Sequence, residues 1–326
     1  MLAFATLAPT LCAQGISNND SLQRAADRAM EKRIGAMVVA DVATGQILAA
    51  AALDLAAHRL ARPGSTVKPF VLMALLETGK LDARQRLLCR RPLRIGGVRM
   101  DCAHASSIVD LNAEEAIAYS CNSYFAEAAT RLNGAELVQA LRRAGLDSPS
   151  GLVKEEASGR IEMPRDREML QLEALGDRGI EVTALELLSA YRKLALQKRN
   201  GAGAAGGASP APTDGLNASA GINAGAALNG GASGIGRDAA VFAGLEKSVA
   251  YGMAHATNVE GLEIAGKTGT AASRESVRTH GFFVGYAPAE RPEIVVVVYL
   301  EQGNGGDAAG LARGVFVAAA KNGWVN

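Results

Sequence analysis

Apolar runs with strand character lie at both ends of the chain, and a long middle stretch has helical spacing. Asn19-Asp20-Ser21 reads as a cap for the amphipathic helix LQRAADRAMEKR. Ile34 to Asp41 and Gln46 to Ala52 then read as two strands joined at Ala43-Thr44-Gly45, a hairpin. From Ser65 to about Arg199 the apolar positions recur at three and four, as in Val71, Leu72, Leu75, Leu76 and Leu185, Leu188, Tyr191, Leu194. Cys89 to His104 breaks this pattern with Pro and paired Gly, which predicts an irregular excursion. A short helix (Leu245 to Ala256), three strands (Leu262 to Thr270, His280 to Tyr286, Ile294 to Leu300) and a last helix (Asp307 to Lys321) complete the pattern. The predicted class is α/β in the α+β sense: one five-stranded antiparallel sheet, flanked by N- and C-terminal helices, plus an all-helical lobe over about 65–199.

Composition changes this picture in two places. Residues Gly201 to Gly236 hold 11 Gly and 11 Ala in 36 positions, with Asp214 as the single charge, and predict a flexible insertion that cannot fix a side-chain core. Residues 1–13 read as the remnant of a secretory signal, apolar from Met1 to Leu11 and followed by Cys12-Ala13-Gln14 but without a basic start. The remainder, 19–326, reads as a single bilobed domain. No apolar run reaches the roughly 18–20 residues that span a bilayer, so the chain is expected to be exported rather than membrane-spanning. A net charge of +1 without long basic runs argues against a nucleic-acid partner, and four cysteines are too few for a disulfide scaffold.

Three short constellations carry chemistry. Ser65 and Lys68 stand three apart at the predicted start of a helix, so both share a face and the ammonium reaches the hydroxyl. The helix N-terminus adds backbone N–H groups for a developing oxyanion, and burial or a second cation is what would turn the lysine into a base. Ser120-Cys121-Asn122 sits between two helix-like runs, LNAEEAIAY and SYFAEAATRL, on a tight turn. Lys267-Thr268-Gly269-Thr270 ends a predicted strand, where the glycine admits close backbone approach and the cation and hydroxyls suit a carboxylate. Residues 261–268 also satisfy G-x-x-x-x-G-K-[ST], the phosphate-binding loop. That loop needs a strand before it and a helix after it; here a helix precedes and a strand follows, so nucleotide binding is the weakest reading.

Taken in order, S-x-x-K, S-x-N and K-T-G-T resemble the motif set of the penicillin-binding serine acyltransferases. The resemblance extends to Ala40–Ala49 (ADVATGQILA), Gly179–Leu187 (GIEVTALEL) and His280–Pro288 (HGFFVGYAP), about Ile34 to Phe316 in all. It implies a D,D-transpeptidase domain of peptidoglycan synthesis, in which Ser65 attacks the penultimate D-alanine of a D-Ala-D-Ala stem peptide and forms an acyl-enzyme. Lys68 would take its proton, helped by Lys267 as a second cation, and Ser120 would relay a proton to the leaving amine. Asn122 would hold the substrate's amide, and Lys267, Thr268, Gly269 and Thr270 would bind the terminal carboxylate. The backbone N–H groups of Ser65 and Thr270 would form the oxyanion hole. No cofactor is implied for catalysis; β-lactams are implied as covalent inhibitors, cell-wall synthesis proteins as partners, and the periplasm or another extracytoplasmic space as location.

A D,D-carboxypeptidase shares these motifs, and a penicillin-sensing or scaffold domain would share them without turnover. A β-lactamase is disfavoured, because the Glu-x-x-x-Asn that activates deacylating water in class A enzymes has no counterpart between Asn122 and Lys267. Cys89, Cys102, His104 and Cys121 admit two readings that stay open at this point. Either Cys89 and Cys102 form a disulfide across the excursion, or the four make a Cys3His set for structural zinc, as elongation-type members of the family often carry Cys, Asp or His nearby. His58, His255 and His280 read as packing or surface residues.

Overall fold

The structure is a computed structural model that describes residues 18–206, 234–272 and 278–325. Residues 1–13 and most of the Gly/Ala insertion lie outside the described residues. Five strands form the central sheet: β1 (Gly35–Asp41), β2 (Ile47–Ala51), β3 (Ala265–Ala272), β4 (Thr279–Ala287) and β5 (Ile294–Leu300). Their order is β2-β1-β5-β4-β3, with every neighbouring pair antiparallel, as the pattern predicted. The apolar run IVVVVYL makes β5 the centre, because a strand covered on both faces needs no polar alternation. Val297 pairs with Val38 on one side and Val284 on the other, and all three are fully buried.

Each face of the sheet has its own core. On one face, helices α1 (Asn18–Met30) and α10 (Gly305–Lys321) close over Met37, Val39, Val296 and Val298 through Leu22, Ala26, Ala312 and Phe316. On the other face lie α2 (Leu53–His58), α3 (Lys68–Glu77), α4 (Ala113–Ala118), α5 (Asn122–Ala129), α6 (Gly134–Ala144), α7 (Arg167–Ala174), α8 (Ala184–Gly206) and α9 (Gly234–Ala250). Alternate residues of one strand therefore serve different layers, Val38 facing the lobe and Val39 the terminal helices.

Several boundaries differ from expectation. β3 begins at Ala265 rather than Leu262, since Leu262 is drawn into a local bridge with Val259. α8 runs on through Gly206, so the first six residues of the predicted insertion are helical. α9 starts at Gly234 rather than Leu245 and stops at Ala250; His255–Thr257 form a separate 3-10 turn. α2 has no counterpart in the sequence reading, because its six residues are too few to display a period. Among the described residues no helix is long and apolar enough to cross a membrane.

Candidate active site

Ser65 lies in a single 3-10 turn, Gly64–Val67, that leads into α3 with Pro69 in the first helical turn. Gly64 takes φ 55 in the left-handed region, and its N–H donates to Gly176 O at 3.0 Å. A Cβ on Gly64 would stand 2.8 Å from Thr270 N, and one on Gly269 would stand 2.3 Å from Pro63 O. Only glycine at both positions lets the serine turn lie against β3, and this contact brings the backbone of Thr270 beside Ser65. Tyr191, fully buried, donates from its hydroxyl to Thr66 O at 2.8 Å and pins the turn from behind.

Ser120 occupies the turn between α4 and α5. An Asn112–Glu115 capping box starts α4, and Cys121 Sγ accepts from Tyr124 N to cap α5. The single residue left to reverse the chain is Ser120, at φ 53, a conformation that costs a non-glycine residue about 1–2 kcal/mol. Its Oγ is thereby aimed between two buried lysines, accepting from Lys267 Nζ at 2.8 Å and from Lys68 Nζ at 3.3 Å. Lys68 Nζ also donates to Ser120 O at 2.8 Å and to Asn122 Oδ1 at 2.6 Å, while Lys267 Nζ donates to Thr268 O at 3.1 Å.

Burial pushes the Lys68 ammonium down to about 8, against a smaller raising effect of Cys121 and Cys102. Lys267 falls well below its ordinary value, first through burial and then through the charge of Lys68. The expected repulsion between the two cations is present, yet it acts on Lys267; desolvation is what brings Lys68 toward neutrality. Asn122 has both ends of its amide engaged, the oxygen by Lys68 and Nδ2 by Met100 O at 3.0 Å and Asp101 O at 3.4 Å.

Ser65, Ser120, Asn122, Thr268 and Thr270 line one open cleft of about 410 Å³. Lys68 and Lys267 are fully buried behind it, both reaching Ser120 Oγ. Two further polar side chains on its wall, Asp101 and Asn304, were not singled out from the sequence. Asn304 caps α10 in a capping box with Asp307, and the next N–H, that of Gly305, donates to Thr270 Oγ1 at 2.9 Å. An Asn three residues before an Asp ahead of an apolar run is the signal that could have found it. The competing phosphate-loop reading fails here, because Lys267 sits inside β3 with its ammonium on Ser120 and Thr268 and no helix follows.

The four residues of the excursion cluster converge. Their ligand atoms lie within 4.8 Å of one another, with Cys89 Sγ 3.5 Å from Cys102 Sγ, Cys102 Sγ 3.7 Å from Cys121 Sγ, and Cys89 Sγ 3.7 Å from His104 Nε2. Cys89, Cys102 and Cys121 are unbridged in this structure, and their spacing is close to the edge of about 3.8 Å that a tetrahedron with Zn–S near 2.3 Å requires. His104 Nδ1 lies 3.1 Å from Ala105 O, an acceptor that would hold the ring with Nε2 toward the thiols. Of the other histidines, His280 is buried with Nε2 2.7 Å from Arg62 O, and His58 lies exposed beside Asp54.

With this geometry established, the comparisons are specific. The penicillin binding protein transpeptidase domain matches residues 35–199 and 239–320. The chain belongs to that family. Peptidoglycan D,D-transpeptidase PbpA of Mycobacterium tuberculosis is 26% identical over 284 residues, covering 79% of this chain and 54% of that protein. The chain thus spans about half the length of that relative. The D,D-transpeptidase domain of a peptidoglycan glycosyltransferase from Eggerthella lenta superposes with a TM-score of 0.73 at 23% identity, over 92% of this chain and 81% of that one. The penicillin-binding protein PBP2 of Helicobacter pylori, solved in complex with MreC, superposes with a TM-score of 0.75 at 20% identity, over 93% of this chain and 63% of that one. Both structures share the fold of a transpeptidase domain. The five-stranded sheet with its helical lobe is therefore that of the family, and the serine turn, the Ser120 turn and β3 are the elements that meet at its cleft.

Proposed function

We propose that this chain is a serine D,D-transpeptidase domain that cross-links peptidoglycan through an acyl-enzyme on Ser65. The observation that carries the reading is the unbroken line of contacts Asn122, Lys68, Ser120, Lys267 beneath a cleft that exposes Ser65 and Thr270. In its neutral form Lys68 takes the Ser65 proton as Oγ attacks the carbonyl of the penultimate D-alanine. The oxyanion that forms is met by the N–H groups of Ser65 and Thr270. Ser120 passes a proton to the amine of the departing D-alanine, so the C–N bond breaks and the ester remains on Ser65. The amine of a second stem peptide then attacks that ester and frees the serine. Lys267, Thr268 and Thr270 hold the terminal carboxylate, and a β-lactam enters the same sequence as a covalent inhibitor. Such a substrate puts the site outside the cytoplasm, among cell-wall synthesis partners of the kind represented by MreC in the H. pylori complex.

A fluorescent penicillin tests the reading directly: the wild type acquires a stable label that Ser65→Ala lacks. Equal labelling of the two proteins, or none on the wild type, overturns the acyl-enzyme. Rapid loss of the label would make the protein a β-lactamase instead.

We also propose that Cys89, Cys102, His104 and Cys121 hold a structural zinc. Bound there, the metal would staple the excursion to the Ser120 turn and supply no chemistry to the reaction. Metal analysis of the purified protein is expected to find one zinc per chain, lost in Cys89→Ser. Absence of zinc from the wild type refutes this.

A further inference from the structure

The excursion beside the cleft is the most one-sided region of charge in a chain whose net charge is only +1. Between Arg84 and Arg99 there are six arginines and no acidic residue, and all six are exposed. Some are spent locally. Arg86 pairs with Asp110 and Glu115, Arg91 lies against His104, and Arg90 stands 3.9 Å from Glu127. Of the remaining three, Arg84, Arg94 and Arg99, the last two face each other across a two-stranded ribbon, Arg94 opposite Arg99 and Ile95 opposite Val98, closed by Gly96 and Gly97 in the left-handed region. Ile95 is buried beneath, so both guanidiniums project from the solvent face.

Like charges directly opposite in an antiparallel pair destabilise it. Arg99 pairs with Asp101 at 2.5 Å, a carboxylate that also feels the charge of Arg94, and the Arg99 side chain stays 73% exposed. Arg94 has no ion pair within 4.0 Å among the described residues. The ribbon is nonetheless held firmly against the catalytic turn: Met100 N donates to Leu93 O at 2.9 Å, Leu93 N to Asp101 Oδ1 at 2.7 Å, and Asn122 Nδ2 to the carbonyls of Met100 and Asp101. Asp101 itself lines the cleft that exposes Ser65. A fork of two guanidiniums, short of one counter-charge and fixed at the rim of a peptide-binding cleft, matches a carboxylate.

We propose that the Arg94–Arg99 ribbon reads a carboxylate carried by the stem peptide away from its reacting D-Ala-D-Ala end. The proposal rests on the function proposed above and adds to it a preference for an acidic over an amidated peptide. It predicts that recognition has two charged anchors: Lys267 for the terminal carboxylate and the ribbon for a second one.

The test is a competition experiment on the full chain. The rate at which a fluorescent penicillin labels Ser65 is measured against rising concentrations of two synthetic pentapeptides ending in D-Ala-D-Ala. They are identical except that one internal side-chain carboxylate is free or amidated. The free acid is expected to compete at about one-fifth the concentration of the amide, the scale of one partly exposed charged contact. Arg94→Gln removes that difference and leaves both the competition by the amide and the labelling rate without peptide unchanged. Lys321→Gln, the same loss of charge at the far end of α10, preserves the difference. Raising salt from about 50 to about 500 mM shrinks it, as screening requires. Equal competition by acid and amide on the wild type, a preference that survives Arg94→Gln, or no competition by either peptide overturns the proposal. The last two results would leave the arginine-rich face to an acidic protein partner. Failure of the wild type to label at all would instead overturn the acyl-enzyme reading.

Discussion

On the sheet side of the cleft, Lys267, Thr268 and Thr270 are fixed by eight consecutive cross-strand pairs between β3 and β4 and by glycines at which no side chain fits. On the lobe side, Ser120 and Asn122 depend on one left-handed residue, two carbonyls of the excursion and a knot of three thiols and an imidazole. The sheet wall is thus made from backbone register, which forms only when the whole fold forms. The lobe wall is made from side chains that a metal or a single substitution can rearrange. The proposed catalysis needs both, because Ser120 Oγ is reached by one lysine from each wall.

The largest effect is expected where the walls meet chemically. Lys68→Met should slow acylation by penicillin on the order of 10³-fold, while the melting temperature stays level or rises because a buried cation has gone. A variant that labels at the wild-type rate would remove Lys68 from the proton path. Gly269→Ala should fail differently: its Cβ would collide with Pro63 O at 2.3 Å, costing about 3 kcal/mol of stability and losing label and melting temperature together. If stability is retained, the sheet wall is softer than its register suggests.

The joint between the walls carries its own signature. Glu173, fully buried in α7 one turn before Gly176, has both carboxylate oxygens without a hydrogen-bond partner. Burial, with a smaller push from Glu162, raises its carboxyl from 4.5 to about 8. A raised acid stabilises the fold fully below the unfolded value, and that stability is lost as pH climbs through the folded one. Thermal melts should therefore fall between pH 4.5 and about 8, and Glu173→Gln should flatten the decline and gain on the order of 2 kcal/mol at the alkaline end. Glu186, raised to about 7 by burial, keeps a residual slope. Identical pH profiles for the two proteins would mean that Glu173 reaches solvent. The smallest effect belongs to Gly97→Ala in the ribbon, where nothing lies within 4 Å of the new Cβ and only the φ of 77 is strained: about 1 kcal/mol, with labelling unchanged.

Much of this was legible in the chain because the relevant signals are local. IVVVVYL announces a covered strand, and Ser65, Ser120 and Lys267 each stand in a short motif whose order is itself informative. What escaped is set by neighbours distant in sequence. The first turn of α10 and Asp101 become cleft residues only because β3 and the Ser120 turn lie against them, and Leu262 fails as strand because Val259 captures it. The convergence of the four cluster residues was likewise closed to the sequence. Cys121 lies 19 residues beyond Cys102, and only the turn between α4 and α5 brings its sulfur within 3.7 Å.

Among the described residues, strand β3 has a strand neighbour on one side only. Its outer margin, which carries the exposed Thr270, opens on the cleft. A strand margin of this kind pairs with whatever extended backbone is laid along it. A ligand docked there is registered residue by residue and in one direction, so the sense in which its chain runs and the handedness of its α-carbons are read before any side chain is. On the proposed substrate, terminal residues of D configuration would thus be sorted by the main chain itself.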